Sequence, residues 1–291
     1  MNLLDFVYVW LLLGFCLYDC AAESFECGLS NYVPGSERII NGTLSKRGEF
    51  PWVAWINFTD GIPYYGCVGS VISPYHVLTA AHCGAEVGNN ITFGVANLDD
   101  KEAVIVSAKN VYPHPNATHG YINDIAIIEL SEELHFNGFI RPICLKKSFV
   151  ETPADEGIIS GFGAKFWFAK DHLPPPEAYD GKLRKGKTRF VVHEDCVSQY
   201  NRSGSHSKIV KEVHICALGE NEMDVYDGDS GSPLIIRNVT RKDGKVQYTQ
   251  VGLTCFGPVN DFQPRPAVFT RVSTFCDWIA ETTKNLAKCN D

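Results

Sequence analysis

The sequence predicts an all-β protein made of two packed β units and followed by one helix at the C-terminal end. The strands are predicted by many short apolar runs that are bounded by turn residues and separated by loops rather than by long helical periods. The chain of 291 residues is long enough for two such units.

The apolar runs are found in both halves of the chain. They cover residues 52–57, 70–72, 103–107 and 125–130 in the first half, and 190–192, 234–236, 248–253 and 267–272 in the second. Each run is short enough for one strand of a half-buried or buried sheet.

The terminal helix is predicted after Ser273, whose hydroxyl can cap it. Apolar residues recur at helical spacing from Phe275 to Leu286, and no Gly or Pro interrupts the segment before Asn290. A helix between Cys276 and Cys289 would hold them about 20 Å apart. That is too far for a disulfide unless the end of the helix unwinds and folds back.

Composition excludes several classes of protein. The formal charge is −8, from 26 basic and 34 acidic residues, which gives no electrostatic reason to expect a nucleic-acid partner. The mean hydropathy of −0.09 leaves no room for several membrane spans. We therefore expect neither nucleic acid nor a membrane as a stable partner.

Residues 1–22 are predicted to be a secretory signal peptide. The apolar run at 6–18 would span about 20 Å as a helix, short of the roughly 30 Å of a bilayer core, and small residues follow it before Glu23. No Lys or Arg precedes the run, so an uncleaved anchor remains the alternative. Cleavage would make this an extracellular protein.

Cysteines and sequons agree with secretion. Nine of the 11 cysteines lie beyond residue 22, and an oxidising compartment lets such cysteines pair. Six Asn-x-Ser/Thr sequons are candidate glycosylation sites: Asn41, Asn57, Asn90, Asn116, Asn201 and Asn238. Zinc is the competing use of cysteine, but the chain has no Cys-x-x-Cys and no His-Glu-x-x-His, so we expect no metal and no cofactor.

Three short motifs carry chemistry. They are Thr79-Ala80-Ala81-His82-Cys83, Asn123-Asp124-Ile125-Ala126 and Gly228-Asp229-Ser230-Gly231-Ser232-Pro233. Together they resemble the trypsin/chymotrypsin family of serine proteases, from residue 39 to about 280, and the order His, Asp, Ser differs from that of subtilisin-like and α/β-hydrolase enzymes. The resemblance implies two packed antiparallel β-barrels with the active site between them.

The resemblance implies a role for each motif. Ser230 would attack the peptide carbonyl, His82 would take its proton, and Asp124 would orient the imidazole. The backbone N–H groups of Gly228 and Ser230 would form the oxyanion hole. Taken singly, the three side chains could instead be a core histidine, a strand-end cap and a turn hydroxyl.

The segment around Arg38 resembles the activation site of the family's zymogens. Cleavage after Arg38 would free an ammonium at Ile39, which could be buried and paired with Asp229. Residues 23–38 would then be a short activation segment and 39–291 the protease domain, and a second protease would be needed as activator. In the alternative, Arg38 is only an exposed basic residue of a loop.

The resemblance also suggests three disulfides. They are Cys67–Cys83, Cys196–Cys216 and Cys27–Cys144, the last of which would keep the activation segment attached after cleavage. Cys255, Cys276 and Cys289 are left over, so at least one thiol stays unpaired within the chain.

A candidate specificity pocket follows from the same resemblance. Asp224 stands where trypsin-like members carry a carboxylate at the pocket floor, which favours Arg or Lys substrates, and Phe256, Gly257 and Ala267 would line the substrate site. Ala267 replaces the usual glycine and could narrow the pocket. If Asp224 were instead a solvated loop residue, the pocket would prefer apolar side chains.

Two other positions depart from the family pattern. Cys255 replaces a serine that usually supports the triad aspartate, and Tyr226 replaces a cysteine whose disulfide often braces the pocket wall.

Two hypotheses for the function of the chain follow from the sequence. The chain is a secreted serine endopeptidase acting on polypeptides, with protein protease inhibitors as further candidate partners, or it is a catalytically weak or inactive protease-like binding protein.

Overall fold

The chain folds into two β-barrels that pack side by side, which confirms the predicted fold class. The structure is a computed structural model, and it describes residues 26–32, 43–58, 64–166, 175–202, 208–220, 225–238, 246–257 and 265–290. The predicted signal peptide, Arg38, Ile39, Asn41 and Asp224 lie outside these ranges.

The first barrel is a closed antiparallel sheet of six strands in the order β2-β3-β4-β7-β6-β5. Its strands are β2 (Val53–Asn57), β3 (Gly66–Ser73), β4 (His76–Thr79), β5 (Asn90–Phe93), β6 (Val104–Pro113) and β7 (Ala126–Leu130). Apolar side chains such as Ile56, Val77 and Ile128 fill its interior. The short apolar runs therefore form strands because each can place one face in this core.

The second barrel is also antiparallel and six-stranded, in the order β12-β9-β10-β11-β14-β13, and the pairing of β12 with β13 closes it. Its strands are β9 (Glu156–Gly161), β10 (Arg184–Val191), β11 (His214–Gly219), β12 (Pro233–Asn238), β13 (Gln247–Phe256) and β14 (Ala267–Arg271). Phe190, Leu234 and Phe269 lie in its core. Two short strands extend it, β1 (Thr43–Leu44) beside β10 and β8 (Cys144–Lys146) beside β13.

The largest buried cluster contains side chains of both barrels. Trp52 packs against Tyr248 with ring centroids 5.5 Å apart, and Trp55 packs against Phe162 at 5.7 Å. Burial of a large apolar side chain contributes about 1.5–3 kcal/mol, and aromatic pairs add to this. The barrels are thus held in one relative position, which lets loops from both form a common site.

The C-terminal helix is shorter than the sequence predicts. A 3₁₀ turn (Val272–Phe275) leads into α2 (Cys276–Thr282), which follows the other α-helix, α1 (His193–Arg202). The chain then reverses through left-handed backbone at Lys284 and Asn285, and β15 (Cys289–Asn290) pairs with β8.

This reversal joins two cysteines that a continuous helix would hold apart. The expectation of a helix up to Asn290 was wrong, and a disulfide links Cys276 to Cys289 with their Cα atoms 5.6 Å apart. The side chain of Thr283 ends the helix, because its hydroxyl donates to the Ile279 carbonyl and accepts the Ala287 N–H at 3.1 Å. No helix in the described ranges is long and apolar enough to cross a membrane.

Candidate active site

His82 lies on a short 3₁₀ turn (Ala81–Cys83) that follows β4. The turn ends at Gly84, whose φ of 61° is left-handed. A disulfide between Cys67 and Cys83 ties the turn to β3, with the Cα atoms 6.2 Å apart. The imidazole is therefore presented from a loop that a covalent bond fixes to the first barrel.

Asp124 ends the loop of residues 114–124 between β6 and β7, here called the Asp124 loop. Tyr121 and Asn123 adopt positive φ of 61° and 54°, so the loop makes tight turns just before the carboxylate. The Thr270 hydroxyl of the second barrel donates to the Asp124 carbonyl at 2.8 Å. Asp124 is only 2% exposed.

Ser230 lies on a turn between two glycines with left-handed backbone, Gly228 at φ 90° and Gly231 at φ 78°. A Cβ on Gly231 would lie 2.2 Å from the Val68 carbonyl oxygen, so only glycine fits this approach. The Val68 N–H donates to the Ser230 carbonyl at 2.8 Å, and the Gly231 N–H donates to the Thr254 carbonyl at 2.8 Å. Bonds to both barrels thus fix the turn.

The three side chains meet in one hydrogen-bonded line. His82 Nδ1 lies 2.6 Å from Asp124 Oδ2, and His82 Nε2 lies 2.8 Å from Ser230 Oγ. The His82 N–H also donates to Asp124 Oδ1 at 2.7 Å. An ionised carboxylate can only accept, so Nδ1 carries the proton in the neutral imidazole and Nε2 is free to accept the hydroxyl proton.

The environment of Asp124 favours its ionised form. Burial would raise the pKa of the Asp124 carboxyl, but the hydrogen bond and charge of His82, with a hydrogen bond from Cys255, hold that pKa below its ordinary value. The carboxylate is therefore charged at neutral pH and can stabilise the imidazolium that forms during proton transfer.

Cys255 occupies the place beside this carboxylate. Its Sγ lies 3.1 Å from Asp124 Oδ2, and it is a free, buried cysteine. Burial first, and then the charge of Asp124, raise the pKa of the Cys255 thiol well above its ordinary value. The thiol stays protonated, so it donates a hydrogen bond to the carboxylate, although a thiol is a weak donor.

Two backbone N–H groups are available beside the hydroxyl of Ser230. Within the part of the chain that the structure describes, neither the N–H of Gly228 nor that of Ser230 has a hydrogen-bond acceptor. Both can therefore donate to an oxygen from outside the chain. Backbone N–H donors without an acceptor can bind an oxygen that carries negative charge.

Asp229 points away from this turn into the interior. Its carboxylate accepts the N–H groups of Gly163 at 2.9 Å and Tyr226 at 3.0 Å. Burial raises the pKa of Asp229 to about 6. In the described ranges no cationic side chain forms an ion pair with it. A cation placed beside this buried carboxylate would stabilise its charge.

The residues predicted to bind substrate are only partly described. Phe256 and Gly257 are half-buried, and Ala267 is buried on β14. The ring of Phe256 lies 5.2 Å from that of Tyr121, which in turn lies 5.3 Å from the ring of His82. Phe256 is thus placed near the reacting groups.

The cysteine pairs suggested by resemblance are all bonded in the structure. They are Cys27–Cys144, Cys67–Cys83 and Cys196–Cys216, and the Cys276–Cys289 bond is additional.

Among the sequon asparagines, Asn90, Asn116 and Asn201 are exposed, whereas Asn57 and Asn238 are half-buried. The amide of Asn238 donates to the Thr249 hydroxyl at 2.7 Å, so this side chain already has a structural contact.

Sequence analysis missed two residues that hold the Asp124 loop, Thr270 and His214. Neither belongs to one of the three catalytic motifs, and the pairing of β11 with β14 brings them to the loop. In the described residues, no group of three His, Cys, Asp or Glu side chains is arranged to bind a metal ion.

Comparison with known proteins places these features in context. Residues 39–279 match the family model described as Trypsin. Phenoloxidase-activating factor 3 of Holotrichia diomphalia is 29% identical over 282 residues, which cover 89% of this chain and 75% of the relative. Chymotrypsin-C of Mus musculus is 31% identical over 276 residues, covering 90% of this chain and 94% of the relative. Ovochymase of Halocynthia roretzi is 30% identical over 271 residues, which cover 88% of this chain but 16% of that protein.

Proposed function

The chain belongs to the trypsin family of serine peptidases, and we propose that it is a secreted serine endopeptidase whose catalytic residues are His82, Asp124 and Ser230. The observation that carries the proposal is the position of His82, which bridges the carboxylate and the hydroxyl at 2.6 Å and 2.8 Å. Groups separated by 42 and 148 residues in the chain meet in the order that proton transfer needs.

The geometry supports acyl transfer in two steps. Ser230 Oγ attacks the carbonyl carbon of the substrate while its proton moves to His82 Nε2, and the N–H groups of Gly228 and Ser230 receive the oxyanion. The C–N bond then breaks as His82 gives its proton to the leaving amine, which leaves an acyl group on Ser230. Water, deprotonated by His82, attacks this ester and restores the hydroxyl.

Activation by cleavage after Arg38 is the second part of the proposal. The ammonium freed at Ile39 would pair with Asp229, whose buried carboxylate lies directly beside the oxyanion turn. The disulfide between Cys27 and Cys144 supports a two-chain product, because it would tether the segment before the cleavage site. Phenoloxidase-activating factor 3 is by its name an activator of another protein, which supports a role for this chain in protein activation, with another protease as its own activator.

We propose cleavage after Arg or Lys, on the position of Asp224 in the sequence. A second specificity has support of its own. The methyl group of Ala267 is buried on β14 where a glycine would leave more room, and the relatives include a chymotrypsin-C. A hydrophobic pocket of the chymotrypsin kind would prefer apolar residues.

A panel of peptides that differ only in the residue before the scissile bond tests this proposal. The chain cleaved after Arg38 should hydrolyse Arg and Lys peptides at least about 100-fold faster than Leu or Phe peptides, because a missing buried charge partner is costly. Faster hydrolysis of the Leu or Phe peptides would show that the pocket prefers apolar residues.

The Arg38→Gln chain should be inactive, and full activity of that variant would contradict zymogen activation.

The competing function is a protease-like binding protein without turnover. Only the weak thiol donor beside Asp124 favours it, since all three catalytic side chains are present and aligned. Polypeptides would be its ligands rather than its substrates. Hydrolysis of any peptide in the panel by the wild type but not by Ser230→Ala would exclude this function.

A further inference from the structure

His214 is a buried histidine of the second barrel that lies close to the catalytic carboxylate of the first. It is the first residue of β11, pairs with Thr270 across the sheet, and is 2% exposed. Its ring hydrogen-bonds to Val210 and Tyr121 rather than to the three catalytic side chains. Its position nevertheless brings it to the Asp124 loop.

The two hydrogen bonds of the His214 ring fix its protonation state. Nε2 lies 3.0 Å from the Tyr121 carbonyl oxygen, which can only accept, so Nε2 carries a proton. Nδ1 accepts the Val210 N–H at 2.9 Å, so it has none. The geometry therefore requires the neutral imidazole with its proton on Nε2, because a second proton would oppose the Val210 N–H.

The bond to Tyr121 holds a loop that is under backbone strain. Tyr121 has a positive φ, which a bulky residue adopts only where the surroundings impose it, and Asn123 nearby also has a positive φ. His214 and Thr270, facing each other on β11 and β14, bind the carbonyls of Tyr121 and Asp124. The second barrel thus holds both ends of the short stretch that carries the carboxylate.

His214 is itself held firmly. Its carbonyl accepts from Arg271 Nη2 at 3.0 Å, and the guanidinium of Arg271 also makes two hydrogen bonds of 2.8 Å with the carboxylate of Glu151. Arg271 and Glu151 are both largely buried, where such a fork-shaped pair is strong and directional. Because the Arg271–Glu151 pair holds the backbone of His214 in place, the His214 ring can hold the Asp124 loop that it contacts.

We propose that His214 is a positioning residue for the catalytic carboxylate: as a neutral imidazole it ties the Asp124 loop to the second barrel. This inference rests on the proposed peptidase function. When His214 gains a proton, Nε2 can still donate to the Tyr121 carbonyl, but the new Nδ1–H opposes the Val210 N–H. The ring is then pushed out of this position, and the loop is held less firmly.

The charged groups around His214 give the direction of its titration. Burial lowers the pKa of His214, the Tyr121 hydrogen bond and the charge of Asp124 act to raise it, and His193 of α1 and Arg271 of β14 act to lower it. The net direction is downward. The neutral ring is therefore retained at neutral pH, and the ring is displaced from the Val210 N–H only as pH falls below the ordinary range of histidine.

The first test compares two substitutions of His214 in the activated protein. His214→Phe keeps a ring of similar shape but leaves the Tyr121 carbonyl and the Val210 N–H unsatisfied, and we expect kcat to fall about tenfold or more. His214→Gln offers an N–H donor and a C=O acceptor, and we expect it to retain most of kcat. Equal kcat in the wild type, His214→Phe and His214→Gln would overturn the proposal.

The pH profile separates positioning from a general loss of stability. In the wild type, the slope of log kcat/KM against pH should approach 2 over the range in which His214 gains its proton. The need for an unprotonated general base gives a slope of 1, and displacement of the His214 ring adds to it by lowering kcat about tenfold or more, as expected for His214→Phe. In His214→Gln the slope should approach 1. The matched control is His76→Gln, which removes another buried histidine of lowered pKa in the first barrel and should leave the slope at 2. A slope of 1 in the wild type would contradict the inference.

Hydrogen exchange tests the same contact without needing turnover. Amides of residues 114–124 should exchange at least about tenfold faster in His214→Phe than in the wild type, while β3 and β7 amides stay protected. Hydrogen exchange also tests the contact if the chain proves to have no peptidase activity. Faster exchange of the loop amides in a protein without peptidase activity would overturn the proposed function but support the contact between His214 and the Asp124 loop. Unchanged exchange of the loop amides would overturn the inference itself.

Discussion

Asp124 is the residue on which most contacts of the site converge. Its side chain binds the imidazole and the N–H of His82 and the thiol of Cys255, and its carbonyl binds the hydroxyl of Thr270. The three motifs identified the aspartate and the histidine. The contact with Thr270 could not be predicted, because it depends on how two strands of the other barrel are paired.

The thiol of Cys255 offers the sharpest single-atom test at this scale. Cys255→Ser replaces a weak donor with a hydroxyl, which makes shorter and stronger bonds to carboxylates. We expect kcat/KM to rise about fivefold, from roughly 1 kcal/mol of added hydrogen bonding. Cys255→Ala, which has no donor, should fall below the wild type. A serine variant no faster than the alanine variant would show that this contact does not support catalysis.

Asp229 gives the uncleaved chain a pH-dependent stability. Its folded pKa of about 6 is above the ordinary 3.8, so the folded chain binds more protons than the unfolded chain between these values. Stability therefore falls as pH rises through this window, by about 3 kcal/mol in total. Urea unfolding of the Arg38→Gln chain should show this decrease between about pH 4 and 7, and adding Asp229→Asn should remove it. An unchanged pH dependence in the double variant would contradict the raised pKa of the buried Asp229 carboxylate.

Turns and helix ends are the elements that sequence patterns predicted least well. The run to Asn290 contains no Gly or Pro, yet the chain reverses at Lys284 and Asn285, which adopt left-handed backbone without being glycine. Helix α1 buries only Cys196 and Tyr200, so its apolar period is too sparse to be recognised. Strands such as β2 and β7 were predicted better, because their short apolar runs are bounded by turn residues, although β5, β9 and β11 have no such run.

The Ser230 turn can be tested with a pair of glycines. Gly231→Ala would place a methyl group 2.2 Å from the Val68 carbonyl oxygen, so the turn must move and we expect kcat/KM to fall at least about 100-fold. Gly84→Ala is the control, since Gly84 is also left-handed but has nothing within 4 Å of the added atom. It should cost about 1 kcal/mol of stability and little activity. Similar losses in both variants would mean that backbone strain, not the close approach, limits the turn.

The whole molecule depends on two barrels that share one buried aromatic interface. His82 and Asp124 come from the first barrel and Ser230 from the second, so the catalytic distances reflect how the barrels pack. The resemblance carried by three motifs was sufficient to predict this architecture. The motifs contain no information on the side chains that fix the loops across the interface, since those contacts join residues without any local pattern.

Covalent labelling of Ser230 tests the central claim most directly. After cleavage at Arg38, a phosphonate or sulfonyl fluoride should attach to Ser230 in a one-to-one ratio, and mass spectrometry of the digested protein should locate the adduct on the peptide that contains this serine. Ser230→Ala should take up no label, and His82→Ala should react at least about 1,000-fold more slowly. A folded, cleaved wild type that remains unlabelled would contradict the account.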